Sequence, residues 1–211
     1  MKVIIIEKTS KLLSKVKISG GGRCNVTNSC DDTLEFSKHY PRGAQFLKKA
    51  FYSFNNKDTI KWFLKNGVKL VAEADGRMFP QSNDSQTIVD TLLNKAVQQD
   101  VEIRTRTTVL SISNKEHQFY LQLDSEEILN CDYLCIASGG NPKKEQYDWL
   151  SFSEAKVMEP VPSLFTFNMP KHPITQLMGL SIPNVHLKIN STKIQTNGPL
   201  LITHWGLSGP A

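Results

Sequence analysis

Apolar and polar positions recur along the chain with two periods, and these periods predict where helices and strands form. Apolar residues at helical spacing predict one helix over residues 56–67, between the N-cap candidate Asn55 and the C-terminal Gly67, and another over about 84–99. Short alternating or continuously apolar runs predict strands. These runs cover residues 3–6, 68–71, 101–104, 108–113, 117–123, 126–129 and 133–137.

The order of these elements predicts an α/β domain. The alternating runs between residues 108 and 129 are joined by short polar turns and predict a β-meander. The run 133–137 is apolar throughout and ends in Ser138-Gly139-Gly140, which is typical of a parallel strand buried on both faces. Residues 76–80, Gly-Arg-Met-Phe-Pro, predict a turn. Together the elements predict a nucleotide-binding domain with an antiparallel meander over one face.

The composition of the chain changes after Asn141, and from there on prolines interrupt short strand-like runs. Such frequent prolines exclude long helices and favour small strands with irregular links. We therefore predict two domains, residues 1–158 and residues 159–211, the second β-rich. Its predicted elements are strands at 164–167, 185–189 and 200–203 and a turn into a helix at 206–211.

Composition excludes several classes of protein. With 211 residues and 39% hydrophobic content, the chain can bury a core and is not a disordered protein. No run in it is long and apolar enough to predict a membrane span, and residues 1–7 are too short and too soon acidic to predict a signal peptide, so we expect a cytoplasmic protein. Its four cysteines lack the spacing of a zinc site or a disulfide scaffold, so we expect reduced thiols and no metal. For Cys24, a packing role and a chemical role are equally compatible with the sequence.

The net charge of +5 arises from basic residues scattered among twenty acidic ones. One basic cluster precedes a glycine run, and it favours either a phosphate-bearing ligand or a solvated face. Because no aromatic residues are interleaved with it, we expect no binding of nucleic acid. The cluster consists of Lys8, Lys11, Lys15, Lys17 and Arg23.

The glycine run at residues 20–22 lies within the segment 19–28, Ser-Gly-Gly-Gly-Arg-Cys-Asn-Val-Thr-Asn. Consecutive glycines let the backbone adopt positive φ and approach phosphate oxygens closely. Upstream, Glu7 ends the first predicted strand, where an acidic residue accepts hydrogen bonds from ribose hydroxyls in dinucleotide-binding folds. No Gly-x-Gly-x-x-Gly precedes it. This pattern predicts a fragment, or one piece of an interrupted gene.

These segments resemble the bacterial FAD-dependent oxidoreductases that include bile-acid dehydro-steroid reductases and aminoacetone oxidase. The resemblance implies a Rossmann-like FAD-binding domain, here lacking its first βα unit, with a β-meander and the start of a β-barrel-like insert domain. The segments that carry it are Glu7-Lys8, 19–28, 40–42, 76–80, 137–140, 162–164 and 203–211.

The resemblance also implies the cofactor-binding positions. It puts Glu7 on the adenosine ribose and the backbone of Val109 on adenine. Lys8 and Gly20 belong to the implied set. Ala137, Gly139 and Gly140 would close over the dinucleotide. The positions implied along the pyrophosphate and flavin are Gly21, Gly22, Arg23, Cys24, Asn25, Thr27 and Asn28.

The resemblance does not identify a catalytic residue. His204, beside Trp205, is more typical of a hydrogen-bonded structural histidine, and Arg77 is expected to tie its turn to the glycine loop. The implied function is an FAD-dependent oxidoreductase of a small organic substrate, with a nicotinamide cofactor as electron donor or oxygen as acceptor. The alternative is a non-catalytic fragment, or half of a split flavoprotein that binds nucleotide only with a complementary chain.

Overall fold

The computed structural model describes residues 1–40, 43–153, 156–161 and 166–209. The chain divides into two compact units, Met1–Cys135 and Ile136–Ala211. The domain boundary expected after residue 158 stays a prediction. Of the sequence segments discussed above, residues 41–42, 162–165 and 210–211 lie outside the described residues.

The first unit mixes helices and strands in the order expected of an α/β domain. Its helices are α1 (Ser14–Gly22), α2 (Thr33–Lys38), α3 (Ala44–Phe51), α4 (Asn56–Lys65) and α5 (Ser85–Gln98). Its strands are β1 (Ile4–Ile6), β2 (Thr27–Asn28), β3 (Leu70–Ala72), β4 (Arg77–Pro80), β5 (Glu102–Arg104), β6 (Val109–Lys115), β7 (Gln118–Leu123) and β8 (Ile128–Cys131). The predicted helices at 56–67 and 84–99 are confirmed as α4 and α5.

Strands β1 and β5 form a parallel pair, with Ile4 opposite Glu102 and Ile6 opposite Arg104. The backbone N–H of Glu7 donates to the Arg104 carbonyl at 2.9 Å, so the ladder extends to the end of β1. Such a pair needs a long crossover, which here includes α1 and α5. These two helices pack together, and the buried Ser85 hydroxyl donates to the Lys17 carbonyl at 2.6 Å.

A second sheet, in the order β2-β4-β3, is antiparallel and carries much of the core. Buried Cys24, Phe63, Leu70, Met78 and Ile88 pack together around it. The predicted turn at 76–80 is wrong for all but its first residue. Because β4 pairs with β2 on one side and β3 on the other, its backbone groups are satisfied in a ladder.

Helix α4 begins with a capping box that the sequence predicted in part. The Asn55 side chain accepts from the N–H of Lys57 at 2.9 Å, and Asp58 accepts from the N–H of Asn55 at 3.0 Å. The next residue, Asn56, is 3% exposed and donates through Nδ2 to the carbonyls of Asn28 and Cys30, at 2.8 and 2.6 Å. One side-chain amide therefore fixes β2 to the start of α4.

Replacing Asn56 by alanine is expected to lower the free energy of unfolding by about 2 kcal/mol, because two carbonyls lose their buried donor. Urea denaturation followed by circular dichroism would measure the loss. The neighbouring exposed change Lys57→Ala is the control, with an expected effect below about 0.5 kcal/mol. Equal stability of the two variants would contradict the structural role assigned to the amide.

The predicted β-meander is confirmed as the antiparallel sheet β6-β7-β8. Its inward side chains alternate as expected of a sheet with one buried face, and Leu123 is only 1% exposed. The predicted buried strand at 133–137 is wrong: these residues form no strand, and Tyr133 is 86% exposed. An apolar run becomes a buried strand only where neighbouring strands pair with it, and none of the described strands does so.

The second unit is β-rich, as expected from its prolines. Its strands are β9 (Phe167–Asn168), β10 (Ser181–Lys188), β11 (Gln195–Thr203) and β12 (Gly206–Ser208). They form an antiparallel sheet in the order β10-β11-β12-β9, and the described part of this unit also contains the 3₁₀ helices Lys144–Leu150 and Pro173–Leu177. Pro183 lies at a register shift in the edge strand β10, where a missing N–H is tolerated.

The turn into a helix predicted at 206–211 is wrong for its first residues. Strand β12 begins at Gly206 and pairs back onto β11, with Thr203 opposite Gly206. His204 and Trp205 therefore form a two-residue hairpin loop, and the glycine follows the turn as part of the ladder.

Two further findings concern the whole described chain. None of the helices in the described ranges is both long and apolar enough to cross a bilayer. All four cysteines are described, and each is a free thiol.

Candidate cofactor site

The glycine loop follows the regular part of α1, residues 14–18, and its three glycines are the last residues within the bounds given above for that helix. The helix turns out of α-geometry at Ser19, whose ψ of 151° is extended. Gly20, Gly21 and Gly22 then have φ values of 56°, 68° and 85°. Three successive left-handed residues are accessible to glycine and unfavourable for side chains with a Cβ. The glycine run is therefore a conformational requirement of this loop.

The three glycines differ in their surroundings. A Cβ at Gly20 would lie 2.9 Å from the backbone nitrogen of Asn25 and 2.9 Å from the Phe79 ring, so this position is closely packed. A Cβ at Gly21 or Gly22 would meet no atom of the described residues within 4 Å. The absence of a side chain at Gly20 thus lets the loop pack closely against Asn25 and Phe79, whereas Gly21 and Gly22 expose their backbone to open space.

Arg23 joins the glycine loop to the β3–β4 hairpin. Its guanidinium lies 2.6 Å from Glu73 Oε1 and stacks 4.0 Å from the centroid of the Phe79 ring. Glu73 also accepts from Arg77 at 3.1 Å, and Arg77 pairs with Asp75 at 2.7 Å. Arg77 therefore ties its hairpin to the loop through Glu73, while the Arg23 guanidinium is engaged by a carboxylate and an aromatic face.

The residues after Arg23 pack the loop against the domain. Cys24 is 6% exposed within the core cluster, which gives its thiol a packing role. Asn25 Oδ1 accepts from the Met78 N–H at 3.3 Å. Thr27 and Asn28 form β2, and Asn28 Oδ1 accepts from the N–H of Cys30 at 2.8 Å. The amide side chains therefore stabilise turns and ladders in this structure.

Glu7 lies at the end of β1, as expected. Its Oε1 accepts from the backbone N–H of Thr9 at 2.7 Å and from the Thr9 hydroxyl at 2.8 Å. The backbone hydrogen bond, then the hydroxyl, and more weakly the charge of Lys15 hold the pKa of Glu7 below its ordinary value. The carboxylate is thus ionised at neutral pH and suited to accept hydrogen bonds from hydroxyl groups. Its neighbour Lys8 is exposed.

The start of β6 lies near the end of β1. The N–H of Thr107 donates to the Glu7 carbonyl at 3.2 Å, and the N–H of Arg106 donates to the Thr9 carbonyl at 3.0 Å. Val109 is two residues beyond this contact, half-buried and paired with Leu123. The structure therefore brings Glu7 and Val109 into one region of the first unit.

The remaining predicted positions belong to the second unit. Ala137, Gly139 and Gly140 are exposed and lie outside any strand. The Tyr147 hydroxyl lies 4.0 Å from a Cβ built on Gly140 and binds the backbone of Asn141. The role of these three residues, and of all the predicted cofactor-binding positions, stays a prediction.

Sequence reasoning missed Glu73 and Phe79 as parts of the loop's surroundings. The Gly-Arg-Met-Phe-Pro segment was singled out, but Met78, Phe79 and Pro80 are buried consecutively, so no alternation could have marked Phe79 as inward. Glu73 has no local signal, since its partner Arg23 is fifty residues earlier in the chain.

A parallel strand pair, an open glycine loop after α1 and an acidic strand end define a Rossmann-type domain, here accompanied by a β-rich unit. Comparison with known families agrees. The HI0933-like protein Rossmann domain matches residues 1–159, and the HI0933-like protein barrel and H2TH domain matches residues 161–211. The chain belongs to the HI0933-like protein family.

Three curated proteins show what the chain is similar to. The ribosomal RNA dihydrouridine synthase of Escherichia coli is 31% identical, over 100% of this chain and 53% of the relative. The protein of the same name from Haemophilus influenzae is 27% identical, over 99% and 53%. The 3-dehydro-bile acid delta(4,6)-reductase of Clostridium scindens is 23% identical, over 99% and 52%. The chain thus spans about half the length of these relatives.

Proposed function

We propose that this chain binds FAD as part of a flavoprotein oxidoreductase. The observation that carries the proposal is the pair of left-handed glycines, Gly21 and Gly22, whose α-carbons face open space. A backbone without side chains suits close approach by a pyrophosphate, so these residues fit the cofactor. Membership in a family with a Rossmann domain supports the same conclusion.

The residues that would hold FAD lie in two groups. Glu7 would accept hydrogen bonds from the ribose, with the Val109 backbone beside adenine, and the glycine loop would carry the pyrophosphate. Bound FAD supplies hydride transfer, while the protein supplies binding, orientation and electrostatics.

We further propose the reduction of a carbon–carbon double bond as the reaction class. The names of the relatives support it, because forming dihydrouridine from uridine and reducing a delta(4,6) steroid both add hydrogen to such a bond. The net reaction delivers a hydride and a proton to the double bond and oxidises a nicotinamide donor, NADH or NADPH. The first candidate substrate is a small unsaturated carbonyl compound.

A second candidate substrate is uridine in RNA. The two relatives named for ribosomal RNA are 31% and 27% identical to this chain, against 23% for the bile-acid reductase. Uridine also presents a double bond conjugated with a carbonyl. Both candidates therefore use the same chemistry and differ in how the substrate is recognised.

We also propose that FAD binding and turnover require segments beyond the matched half of the relatives, in the same polypeptide or in a complementary chain. Apolar side chains at β1 support this proposal, since Ile5 in the strand is 45% exposed and Val3, just before it, is 38% exposed. Among the described strands, β1 pairs with β5 alone. An apolar strand edge of this kind is a site for pairing with a further strand.

The test is anaerobic oxidation of NADH and NADPH by the flavin-loaded protein, with cyclohexenone and with oligouridine as acceptors. The protein is assayed alone and after co-expression with the remaining half of a relative. Stoichiometric flavin and turnover of either acceptor support the proposal. A colourless protein under both conditions would contradict FAD binding, and flavin without turnover would contradict the reductase.

Replacing Glu7 by alanine is expected to weaken FAD binding about tenfold, because the ribose loses charge-assisted hydrogen bonds. The dissociation constant for FAD would be measured by fluorescence titration of the protein in the form that binds the cofactor. Glu145→Ala removes an equally negative, exposed side chain from the second unit and should leave affinity unchanged. An unchanged constant for the Glu7 variant would remove this residue from the proposed site.

A further inference from the structure

Three aromatic side chains on α3 and the link to α4 are exposed. Phe46 is 81% exposed, Tyr52 is 77% exposed and Phe54 is 57% exposed. Exposing large aromatic rings to water is unfavourable. Three exposed rings within nine residues therefore indicate a surface that binds a partner. We call residues 46–65 the aromatic-lysine segment.

Lysines accompany these rings. Within the aromatic-lysine segment there is a single carboxylate, Asp58, and it is bound to the N–H of Asn55 in the capping box. The last three of its lysines recur at every fourth position of α4 and so share one face of that helix. The lysines are Lys48, Lys49, Lys57, Lys61 and Lys65.

Acidic groups near the segment leave most of this charge unopposed. From the residues before α2, Asp31 lies 3.7 Å from Lys57, and on α2 Glu35 is paired with Lys38 at 2.6 Å. Among the described residues, neither Lys48 nor Lys49 has a carboxylate within ion-pair distance. The segment is therefore positive as well as aromatic.

The aromatic-lysine segment rests on a fixed base. Phe36 of α2 packs against Phe51 of α3 with ring centroids 4.9 Å apart, and Tyr40 contacts both rings at 5.8 and 5.5 Å. The capping box then fixes the start of α4. Because the exposed rings project from an anchored helix and its link, they can bind a partner without first being ordered.

We propose that the aromatic-lysine segment binds single-stranded RNA. Exposed rings stack on unpaired bases, and lysines without carboxylate partners neutralise the intervening phosphates. Exposed rings alone suit a protein partner, whereas rings together with lysines that lack carboxylate partners favour a polyanion with bases to stack. The inference rests on the proposed function in one respect, because it supplies the recognition surface for the uridine candidate. The sequence predicted no nucleic-acid partner for the chain, because the lysines near the glycine loop lack rings. Here we propose the opposite on the basis of a different segment, in which rings accompany the lysines.

Fluorescence anisotropy of labelled oligouridine with the whole chain tests the proposal. Phe46→Ala and Tyr52→Ala are each expected to weaken binding about tenfold, the effect of losing one stacked base. Tyr133→Ala is the matched control, because it removes a ring that is 86% exposed outside the segment. Equal affinities for all three variants would overturn the proposal, as would the absence of binding by the unaltered chain.

The lysines give an independent measurement. In the double variant Lys48→Gln, Lys49→Gln, the slope of log affinity against log salt should fall by about 1.4, since each phosphate contact on a single strand contributes about 0.7. Lys115→Gln, an exposed lysine in the meander, should leave the slope unchanged. A slope unaffected by the double change would contradict phosphate binding at this segment.

Flavin absorbance and light scattering separate the remaining outcomes. RNA binding that depends on Phe46, in a protein that stays without flavin even after co-expression with the remaining half of a relative, would leave this inference standing and remove the proposed function. Flavin and reductase activity without RNA binding would support the proposed function and contradict this inference. If Phe46→Ala dissociates a dimer and leaves RNA affinity intact, the segment is a self-association surface and the RNA proposal is wrong.

Discussion

Replacing Gly21 or Gly22 by valine is expected to abolish flavin retention while leaving the fold largely intact. Both residues have left-handed backbone angles, which a β-branched side chain resists, and both present open backbone where a pyrophosphate would lie. A Cβ at either position would lie more than 4 Å from every described residue other than its chain neighbours, so the core around Cys24 should be preserved. The substitutions are therefore expected to lower flavin affinity more than they lower the stability of the protein.

Flavin absorbance and circular dichroism of the purified, cofactor-competent protein measure this outcome together. Gly67→Val is the matched control: Gly67 has a φ of 83° and open space around it, but it follows α4 outside the loop. It carries the same backbone strain and should retain flavin. If the Gly21 and Gly22 variants purified with the flavin content of the unaltered protein, the loop would be a structural turn and not a cofactor cradle.

The largest effect on stability is expected from Gly206→Ala in the second unit. A Cβ at this position would collide with the Phe167 carbonyl and lie 2.9 Å from the Met169 nitrogen, both backbone atoms that cannot rotate away. The φ of 147° adds backbone strain. We expect a loss of about 3 kcal/mol, because the pairing of β9 with β12 must be displaced.

Hydrogen exchange of the β11 and β12 amides reports this loss within the unit concerned. Gly179→Ala provides the comparison, since Gly179 also has a positive φ, of 91°, but no atom of the described residues lies within 4 Å of a Cβ built there. Its expected cost is about 1 kcal/mol, from backbone strain alone. Equal costs at the two positions would mean that the collision is relieved by a shift of β9.

Elements with local causes could be predicted from the sequence. Helix α4 followed from Asn55 as a cap and from apolar spacing, and both are visible within a dozen residues. The meander followed from alternation and short polar turns. The left-handed loop followed from the glycines themselves, because few other residues can adopt that backbone.

The elements and contacts that could not be predicted depend on residues distant in the chain. The run 133–137 has the composition of a buried strand, but strand formation needs a neighbouring edge, which composition does not specify. Residues 77–80 became a strand because β2 and β3 both pair with them. The contact of Arg23 with Glu73 joins positions fifty residues apart, so no local pattern could indicate it.

The four side chains Arg23, Glu73, Arg77 and Asp75 form a neutral quartet. The N–H of Arg77, followed by its side chain, holds the pKa of Asp75 below its ordinary value, so two carboxylates oppose two guanidinium groups at neutral pH. On the side of this quartet, a phosphate at the glycine loop would therefore meet backbone N–H groups beside a patch without surplus charge. Ionic strength consequently distinguishes the two proposed ligands: added salt should strip RNA from the lysines of α3 and α4 long before it loosens a flavin at the loop.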